Sequence, residues 1–148
     1  MELKIKSFGE LTLQELYDIL AVRVSVFVVE QSCPYMELDG RDKDAVHVWL
    51  EEDGKIAAYL RIMDRGVESE YVSLGRVIAV KRGCGIGARI LSEGIRAAEK
   101  LFKPDKLYLE AQVYAKGFYE KQGFKQISEE YSEDGIPHIK MIRECGGE

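Results

Sequence analysis

Three glycines beside an arginine form the stretch of this sequence that is best suited to chemistry: Arg82-Gly83-Cys84-Gly85-Ile86-Gly87. The residues before it, Val77 to Val80, are a β-branched apolar run typical of a strand. Apolar residues after it recur at helical spacing, which predicts a helix that begins at or near Gly85. Glycines at such a junction leave backbone N–H groups open to an anion, which the helix dipole also favours. With the Arg82 guanidinium beside them, these glycines predict a phosphate-binding turn.

Other glycine-rich turns compete with this interpretation. A Walker loop is excluded, because no Lys-Ser or Lys-Thr pair follows the glycines. Gly83 to Ala88 formally matches the dinucleotide pattern G-x-G-x-x-[GA], with Asp105 and Glu110 near the place of a ribose-binding acid. That match begins past the midpoint of the chain, and too few elements follow it for a doubly wound domain. A tight turn that binds nothing is the remaining alternative, and it leaves Arg82 unexplained.

Composition limits the partners of the protein. The 148 residues carry a formal net charge of −5, which argues against nucleic acid or an anionic membrane as the main partner. Residues 1–10 lack the apolar segment of a secretion signal, and the most apolar run, residues 21–29, is too short to span a bilayer. The cysteines Cys33, Cys84 and Cys145 are widely spaced, which indicates reduced thiols rather than disulfides or a zinc site. We therefore expect a cytoplasmic protein without a bound metal.

The hydrophobic pattern predicts strands and helices on both sides of the glycine turn. Thr12 with Glu15 forms a capping box that starts the first helix, and Asp53-Gly54 is a strong β-hairpin signal. The order is β-α-β-β-β-α-β-α-β-β, so we expect one domain over residues 1–148 with a mixed sheet. An exposed edge of the C-terminal hairpin would support a homodimer. The predicted elements are strand 3–6, a helix from 13 to about 29, a polar loop 30–42, strands 46–51, 56–63 and 71–80, a helix to 102, strand 107–112, helix 114–122, and strands 124–131 and 136–142.

Two linked segments resemble the GNAT superfamily of N-acetyltransferases. Arg82–Gly87 is similar to its pyrophosphate loop [QR]-x-x-G-x-[GA], and Gly117–Phe124 is similar to the F-Y-x-x-x-G-F segment that follows the next strand. The resemblance implies an α+β, GNAT-like fold with a mixed, mostly antiparallel central sheet flanked by helices, and it implies acetyl-CoA as the cofactor. It covers nearly the whole chain and narrows to the ElaA-like subfamily on further segments: Val26–Gln31, Cys33–Tyr35, Asp39-Gly40, Leu109–Gln112 and Asp134–His138.

The resemblance also implies roles for individual residues. The glycine turn with Arg82 would hold the pyrophosphate, and backbone N–H groups at the end of strand 71–80 would place the thioester. Tyr119 would donate the proton that the leaving thiolate needs, because a phenol is a donor at neutral pH. The predicted cofactor-binding residues are Ile78, Ala79, Val80, Arg82, Gly83, Cys84, Gly85, Ile86, Gly87, Gln112 and Tyr119.

The pattern does not identify the acceptor or the base that deprotonates it. An amine like that of lysine has a pKa of about 10.4 and must lose a proton before it attacks. Glu30 is the favoured base because the subfamily resemblance is concentrated around it, and the alternatives are Glu110, His47, His138 or water. We predict an N-acetyltransferase that moves an acetyl group to a small-molecule or peptide primary amine by direct transfer in a ternary complex. A non-catalytic acetyl-CoA-binding regulatory module and a dinucleotide-dependent oxidoreductase are the alternatives.

Overall fold

A computed structural model describes residues 1–146, which form one eight-stranded sheet and its flanking helices. The helices are α1 (Leu13–Val24), α2 (Ile86–Phe102) and α3 (Lys116–Glu120), and a π-helical segment, Ser25–Glu30, continues α1. Short 3₁₀ turns lie at Phe8–Glu10, Asp42–Asp44 and Val113–Ala115. The strands are β1 (Glu2–Ser7), β2 (Ala45–Glu52), β3 (Lys55–Met63), β4 (Val72–Ala79), β5 (Lys106–Gln112), β6 (Phe124–Gln126), β7 (Tyr131–Glu133) and β8 (Ile136–Glu144).

The sheet has the order β1-β2-β3-β4-β5-β8-β6, and β7 pairs with another part of β8. β4 and β5 run parallel, whereas all the other paired strands of the described chain are antiparallel. β4, α2 and β5 therefore form one β-α-β unit within antiparallel meanders, and the glycine turn follows the carboxyl end of β4. The predicted α+β fold with a mixed, mostly antiparallel central sheet is confirmed.

Each face of the sheet has its own core. α2 covers one face, where Ile90 and Leu91 belong to the same buried cluster as Leu60 of β3. α1 and the π-helical segment cover the opposite face, where Ile19 is buried with Tyr59 of β3. Successive residues of β3 thus point into different cores, as the pleat of a strand requires. Among residues 1–146, no helix combines the length and apolar character needed to cross a bilayer.

The contact between α2 and β3 is close because α2 has a glycine there. A Cβ placed on Gly94 would lie 2.8 Å from Cδ1 and 3.1 Å from Cγ of Leu60, and Leu60 is fully buried. We expect Gly94→Val to lower the free energy of unfolding by about 1–3 kcal/mol, because the packed core cannot accept the added atoms. Urea denaturation measures the change. Arg96→Val, on the exposed side of the same helix, is the control and should change stability far less; equal losses in both variants would contradict the packing argument.

The first helix starts as predicted but changes its hydrogen bonding before it ends. The Glu15 N–H donates to the Thr12 hydroxyl at 3.0 Å, and the Thr12 N–H donates to the Glu15 carboxylate at 2.9 Å, so the capping box is confirmed. From Ser25 onward the helix widens into π geometry and reaches Glu30. β-branched side chains fill this region and crowd a regular α-helix. The predicted end near Val29 is therefore right, although the last turns are not α-helical.

The C-terminal prediction of one long strand over residues 124–131 is wrong. β6 and β7 are two short strands that pair with separate parts of β8, separated by residues 127–130. The Lys140 N–H of β8 donates to the Ser128 hydroxyl at 2.9 Å instead of to a backbone carbonyl of the partner strand. A side chain thus interrupts the ladder at this point.

The remaining short elements agree with the sequence pattern. The Asp53-Gly54 hairpin is confirmed, and both residues have positive φ as a type I′ turn requires. The helix predicted over residues 114–122 is shorter, because a 3₁₀ turn occupies its start and α3 covers only Lys116–Glu120. The Gly123 N–H donates to the Glu120 carbonyl at 3.0 Å and Gly123 has a positive φ, so the chain leaves the helix before Gly123, as the predicted range of 114–122 requires.

Candidate active site

A cleft opens where β4 and β5 separate. The two strands pair only at Val72–Leu107 and Ser73–Tyr108, although β4 continues to Ala79 and β5 to Gln112. A β-bulge in β4 coincides with the separation: Arg61 of β3 faces Gly75, whereas Tyr59 faces Ile78, so β4 has one extra residue. The cleft has a volume of about 950 Å³ and is lined by both strands. Its position in the only parallel pair of the described sheet makes it the candidate active site.

The glycine turn closes one end of the cleft. Gly83, Gly85, Ile86 and Gly87 all line it. Gly83 and Gly85 have φ values of +78° and +79°, and within the described chain a Cβ on either would meet no atom within 4 Å. Gly85 directly precedes the first residue of α2. The start of a long helix, with its unpaired N–H groups, therefore faces open space at this end, as a phosphate site needs.

Arg82 lies at the mouth of the cleft and is already paired. Its guanidinium donates to the Glu30 carboxylate at 2.6 Å, and both side chains are at least half exposed. Glu30 does not line the cleft. The residue predicted as the base is thus placed beside the cofactor turn, at the end of the π-helical segment, and not among the groups that face the interior of the cleft.

The end of β4 contributes one free backbone donor. The Val80 N–H donates to the Ala57 carbonyl of β3 at 2.9 Å, so it is not available to a ligand. Alternate residues of a strand direct their N–H groups to the same neighbour, so the Ala79 N–H points away from β3, into the cleft. Ile78 lines the cleft with its backbone region, while its side chain is buried in the core beneath α1.

Two of the predicted cofactor residues lie outside the cleft lining, Val80 and Cys84. The Cys84 thiol is exposed and donates to the Lys81 carbonyl at 3.4 Å. Only its backbone N–H, between the two cleft glycines, remains for an anion. The other predicted residues, from Ile78 to Tyr119, are brought together around one space.

Tyr119 of α3 lies in the cleft wall. Its ring packs edge-to-face against Phe118 at 5.1 Å and against Phe124 at 6.1 Å between centroids. Burial raises the pKa of the Tyr119 phenol well above its ordinary value. The hydroxyl therefore keeps its proton at neutral pH and can donate it. Gln112, at the end of β5, also lines the cleft and its amide contacts the Gln31 amide at 3.3 Å.

Carboxylates line the end of the cleft near β7 and β8. Glu110 of β5 is exposed to the cleft and accepts a hydrogen bond from the Tyr108 hydroxyl at 2.9 Å. Partial burial and the neighbouring Glu110 carboxylate raise the pKa of Glu133. His138 also lines this end, where its Nδ1 lies 2.7 Å from the Ile136 carbonyl. The cleft thus joins an end formed by the glycine turn and the start of α2 to an end that is lined by carboxylates.

A buried network of ion pairs holds the loop that walls the cleft. Glu37, Asp39 and Asp42 of this loop pair with arginines of α1, β3 and β4. Arg23 is fully buried and lies 2.9 Å from Glu37 and 2.5 Å from Asp42. The other pairs are Arg61 with Asp39, Arg61 with Asp42 at 2.9 Å, Arg76 with Glu37 at 2.5 Å, and Arg76 with Asp39 at 3.6 Å.

The network balances three positive charges with three negative ones. Burial alone would raise the pKa of Asp39, but hydrogen bonds from Arg61 and the Arg41 N–H hold it well below its usual range. Sequence reasoning missed this network. The available signal was arginine within apolar segments, since Arg23 and Arg61 interrupt hydrophobic runs.

His47 lies outside the cleft and is not placed to act as a base. It is fully buried on β2, with Nδ1 2.6 Å from the Tyr59 hydroxyl and Nε2 3.0 Å from the Asp42 carbonyl. A carbonyl can only accept, so Nε2 carries the hydrogen and Nδ1 accepts from the tyrosine. Burial lowers the pKa of His47, which keeps the ring neutral.

This buried histidine predicts a pH dependence of stability. Because the folded pKa lies below the unfolded value of about 6.5, the unfolded state binds more protons as the pH falls through that value. We expect the free energy of unfolding to be highest above pH 7 and to fall between pH 6.5 and 5. Urea denaturation at several pH values measures it. His47→Gln should lose most of this slope, and a variant that keeps the slope would contradict the assignment.

Comparison with known proteins agrees with this geometry. The acetyltransferase (GNAT) domain matches residues 15–145. Protein ElaA of Escherichia coli (strain K12) is 39% identical over 140 residues, which cover 92% of each chain. The crystal structure of an acyl-CoA N-acyltransferase from Pseudomonas aeruginosa is 40% identical, has a TM-score of 0.91, and covers 97% of this chain and 99% of that one.

The crystal structure of Escherichia coli ElaA also has a TM-score of 0.91, with 37% identity over 97% of this chain and 99% of that one. These two structures therefore share nearly the whole fold with this chain, at 37% and 40% sequence identity. On these matches, the chain belongs to the GNAT acetyltransferase family, among the relatives of ElaA.

Proposed function

We propose that this protein is an acetyl-CoA-dependent N-acetyltransferase that transfers acetyl directly to a primary amine in a ternary complex. The observation that carries the proposal is the two-ended cleft, with the glycine turn and the start of α2 at one end and cleft-facing carboxylates at the other. Tyr119, whose phenol stays protonated, lies in the wall of the same cleft. The structural similarity to the acyl-CoA N-acyltransferase from Pseudomonas aeruginosa supports the same reaction class.

The cleft residues fit acetyl-CoA. The volume of the cleft, about 950 Å³, lies at the upper end of the usual range for ligand sites. The N–H groups at Gly83 to Gly87 would hold the pyrophosphate, and Arg82 would add charge after exchanging its Glu30 partner for phosphate. The free Ala79 N–H would bind the thioester carbonyl, and Gln112 would contact the pantetheine arm. Bound acetyl-CoA supplies an activated acetyl group.

Proton movement falls to the side chains on the two walls of the cleft. Tyr119 would donate its hydroxyl proton to the departing sulfur. Glu110 would accept the proton of the incoming amine, directly or through water, because its carboxylate faces the cleft and is exposed. Glu30 is less well placed for this role, because its carboxylate is paired with Arg82 outside the cleft lining.

The acidic end favours an amine acceptor. A lysine-like amine is protonated at neutral pH, so it arrives as a cation. Glu110 and Glu133 lie close enough for the Glu110 charge to raise the pKa of Glu133. A cation placed between them would relieve this repulsion. An uncharged alcohol would gain less electrostatic stabilisation between Glu110 and Glu133 than a cationic amine would. This difference supports transfer of the acetyl group to nitrogen.

Glu110→Gln is expected to lower kcat about tenfold and to leave the affinity for acetyl-CoA nearly unchanged. The amide has the same shape but cannot take a proton, while the adjacent Glu133 limits the loss by accepting one in its place. Glu130→Gln, an exposed carboxylate outside the cleft lining, is the matched control. Unchanged turnover in Glu110→Gln would rule out Glu110 as the base.

The test of the proposed function is a transfer screen. The protein is incubated with acetyl-CoA and with alkyl amines, diamines, amino acids, short peptides or alcohols, and the released thiol is measured. We expect release with at least one amine class and not with the alcohols, and intersecting initial-velocity lines for a ternary complex. Binding of CoA without turnover on any amine would favour a regulatory module. Tight binding of NADH without CoA binding would favour an oxidoreductase.

A further inference from the structure

Arg76 has an unusual backbone for its position. It lies in the β4 bulge with a φ of +53°, in the left-handed region. Bulges of this kind normally have glycine at the left-handed residue, because a Cβ there is strained. An arginine therefore stands where glycine would be easier to accommodate. Other contacts in the folded protein must stabilise the left-handed conformation of Arg76.

The side chain of Arg76 supplies the stabilising contacts. Its Nε donates to the Glu37 carboxylate at 2.5 Å, and its Nη2 donates to the Glu37 carbonyl at 2.9 Å. Asp39 lies 3.6 Å from the same Nη2. The guanidinium also lies 6.0 Å from the ring centre of Phe27 and 5.9 Å from that of Tyr35. Contacts from the loop and from the π-helical segment thus surround one charge.

Glu37 is a rigid partner for this arginine. Its side chain is almost completely buried, and the same oxygen that faces Arg76 lies 2.9 Å from the Nε of fully buried Arg23. α1 therefore fixes Glu37, and Glu37 in turn fixes Arg76. The bulge is tied to the helix layer through one carboxylate, so its position does not depend on β4 alone.

The bulge decides which backbone donor faces the cleft. With the extra residue in place, Val80 pairs with Ala57 through its N–H, so the alternation along the strand turns the Ala79 N–H away from β3. Without the extra residue, the register beyond Gly75 would move by one position, and Ala79 would stand opposite Ala57. Its N–H would then bond to β3. The donor proposed for the thioester exists only because the bulge at Arg76 persists.

We infer that Arg76 is a positioning residue, whose ion pair with Glu37 holds the β4 bulge so that the Ala79 N–H faces the thioester carbonyl of acetyl-CoA. The inference rests on the proposed function, because it needs an acyl-CoA in the cleft. The proposed contact involves only the acetyl group, because CoA has no thioester carbonyl to accept a hydrogen bond from the Ala79 N–H. Preference for acetyl-CoA over CoA is therefore the property that Arg76 controls.

The experiment measures the dissociation constants of acetyl-CoA and CoA by calorimetry for the wild type and for Arg76 variants. In Arg76→Met, which loses the ion pair and keeps a strained Cβ, we expect acetyl-CoA binding to weaken about three- to tenfold, the effect of one hydrogen bond. CoA has no thioester carbonyl to lose a hydrogen bond, so its dissociation constant should change less than about twofold. A change of that size is the usual deviation from additivity between independent sites. Arg76→Gly removes the strain of the left-handed conformation and should keep more of the preference than Arg76→Met.

Two controls keep the result interpretable. Arg65→Met removes an exposed arginine that does not line the cleft and should bind both ligands as the wild type does. Thermal unfolding shows whether Arg76→Met is folded. If it is not, Arg76→Lys takes its place, because lysine retains the positive charge. We expect Arg76→Lys to weaken acetyl-CoA binding in the same direction but by a smaller factor. An unchanged acetyl-CoA to CoA ratio in the folded Arg76 variants, or equal losses for both ligands, would overturn the inference.

The wild type separates this inference from the proposed function. If the wild type binds neither acetyl-CoA nor CoA, the proposed function itself fails. If it binds both but the folded Arg76 variants keep its ratio, only the positioning role of Arg76 fails. A wild type that binds both ligands equally would also overturn the positioning role, because no contact to the acetyl group would then exist.

Discussion

Gly85→Glu is expected to lower the affinity for acetyl-CoA on the order of 100-fold. Gly85 directly precedes α2 and has a φ of +79°. A glutamate would bring a carboxylate to the place proposed for the pyrophosphate, where like charges repel at close range. Its Cβ would also be strained in the left-handed region. Calorimetric titration with acetyl-CoA measures the loss.

Gly54→Glu is the matched control for this change. Gly54 has a φ of +74° in the hairpin between β2 and β3, so the substitution introduces similar backbone strain and the same charge. It lies outside the cleft lining and should leave acetyl-CoA binding unchanged. Wild-type affinity in Gly85→Glu would show that the glycine turn does not bind the pyrophosphate.

Tyr119→Phe is expected to lower kcat about 100- to 1,000-fold, while the dissociation constant of acetyl-CoA changes little. The phenylalanine keeps the edge-to-face contacts with Phe118 and Phe124 but cannot donate a proton. The thiolate would then leave without protonation, which raises the barrier of transfer and not that of binding. Steady-state kinetics with the best amine of the transfer screen, together with calorimetry, separates the two effects.

Tyr17→Phe controls for the loss of a tyrosine hydroxyl elsewhere in the chain. Tyr17 is 72% exposed and does not line the cleft, so its hydroxyl is satisfied by solvent and its removal should leave kcat unchanged. If Tyr119→Phe kept full activity, the proton for the leaving group would have to come from elsewhere, and the buried phenol would be only a packing residue.

These variants address separate parts of one cleft. In the proposed function, the glycine turn would act on the pyrophosphate, the Ala79 N–H on the thioester, and Tyr119 and Glu110 on protons. A change in one part should therefore leave the quantities assigned to the others nearly unchanged. The acceptor class, the cytoplasmic location and the homodimer remain predictions that the screen and solution measurements can test.

The local features were predicted well because short-range physics controls them. The glycine turn, the Thr12–Glu15 capping box and the Asp53-Gly54 hairpin each depend on residues within a few positions of one another. The order of predicted strands and helices also predicted the mixed sheet. The family resemblance added the prediction that Tyr119 is the proton donor. The hairpin strand over residues 124–131 failed because the Ser128 hydroxyl competes with the backbone for one N–H of β8.

Only the tertiary structure decided which groups face the cleft. Glu30 and Arg82 are separated by 52 positions and meet as an ion pair, whereas Arg76 and Glu37 meet across 39. Local patterns cannot indicate such pairings, because they depend on how α1, the loop and the sheet pack together. Local patterns do not indicate the bulge in β4 either. Its one-residue offset decides whether the N–H of Val80 or that of Ala79 points away from β3. The sequence by itself determined that a glycine turn precedes α2, and the fold determined which residues share the cleft with that turn.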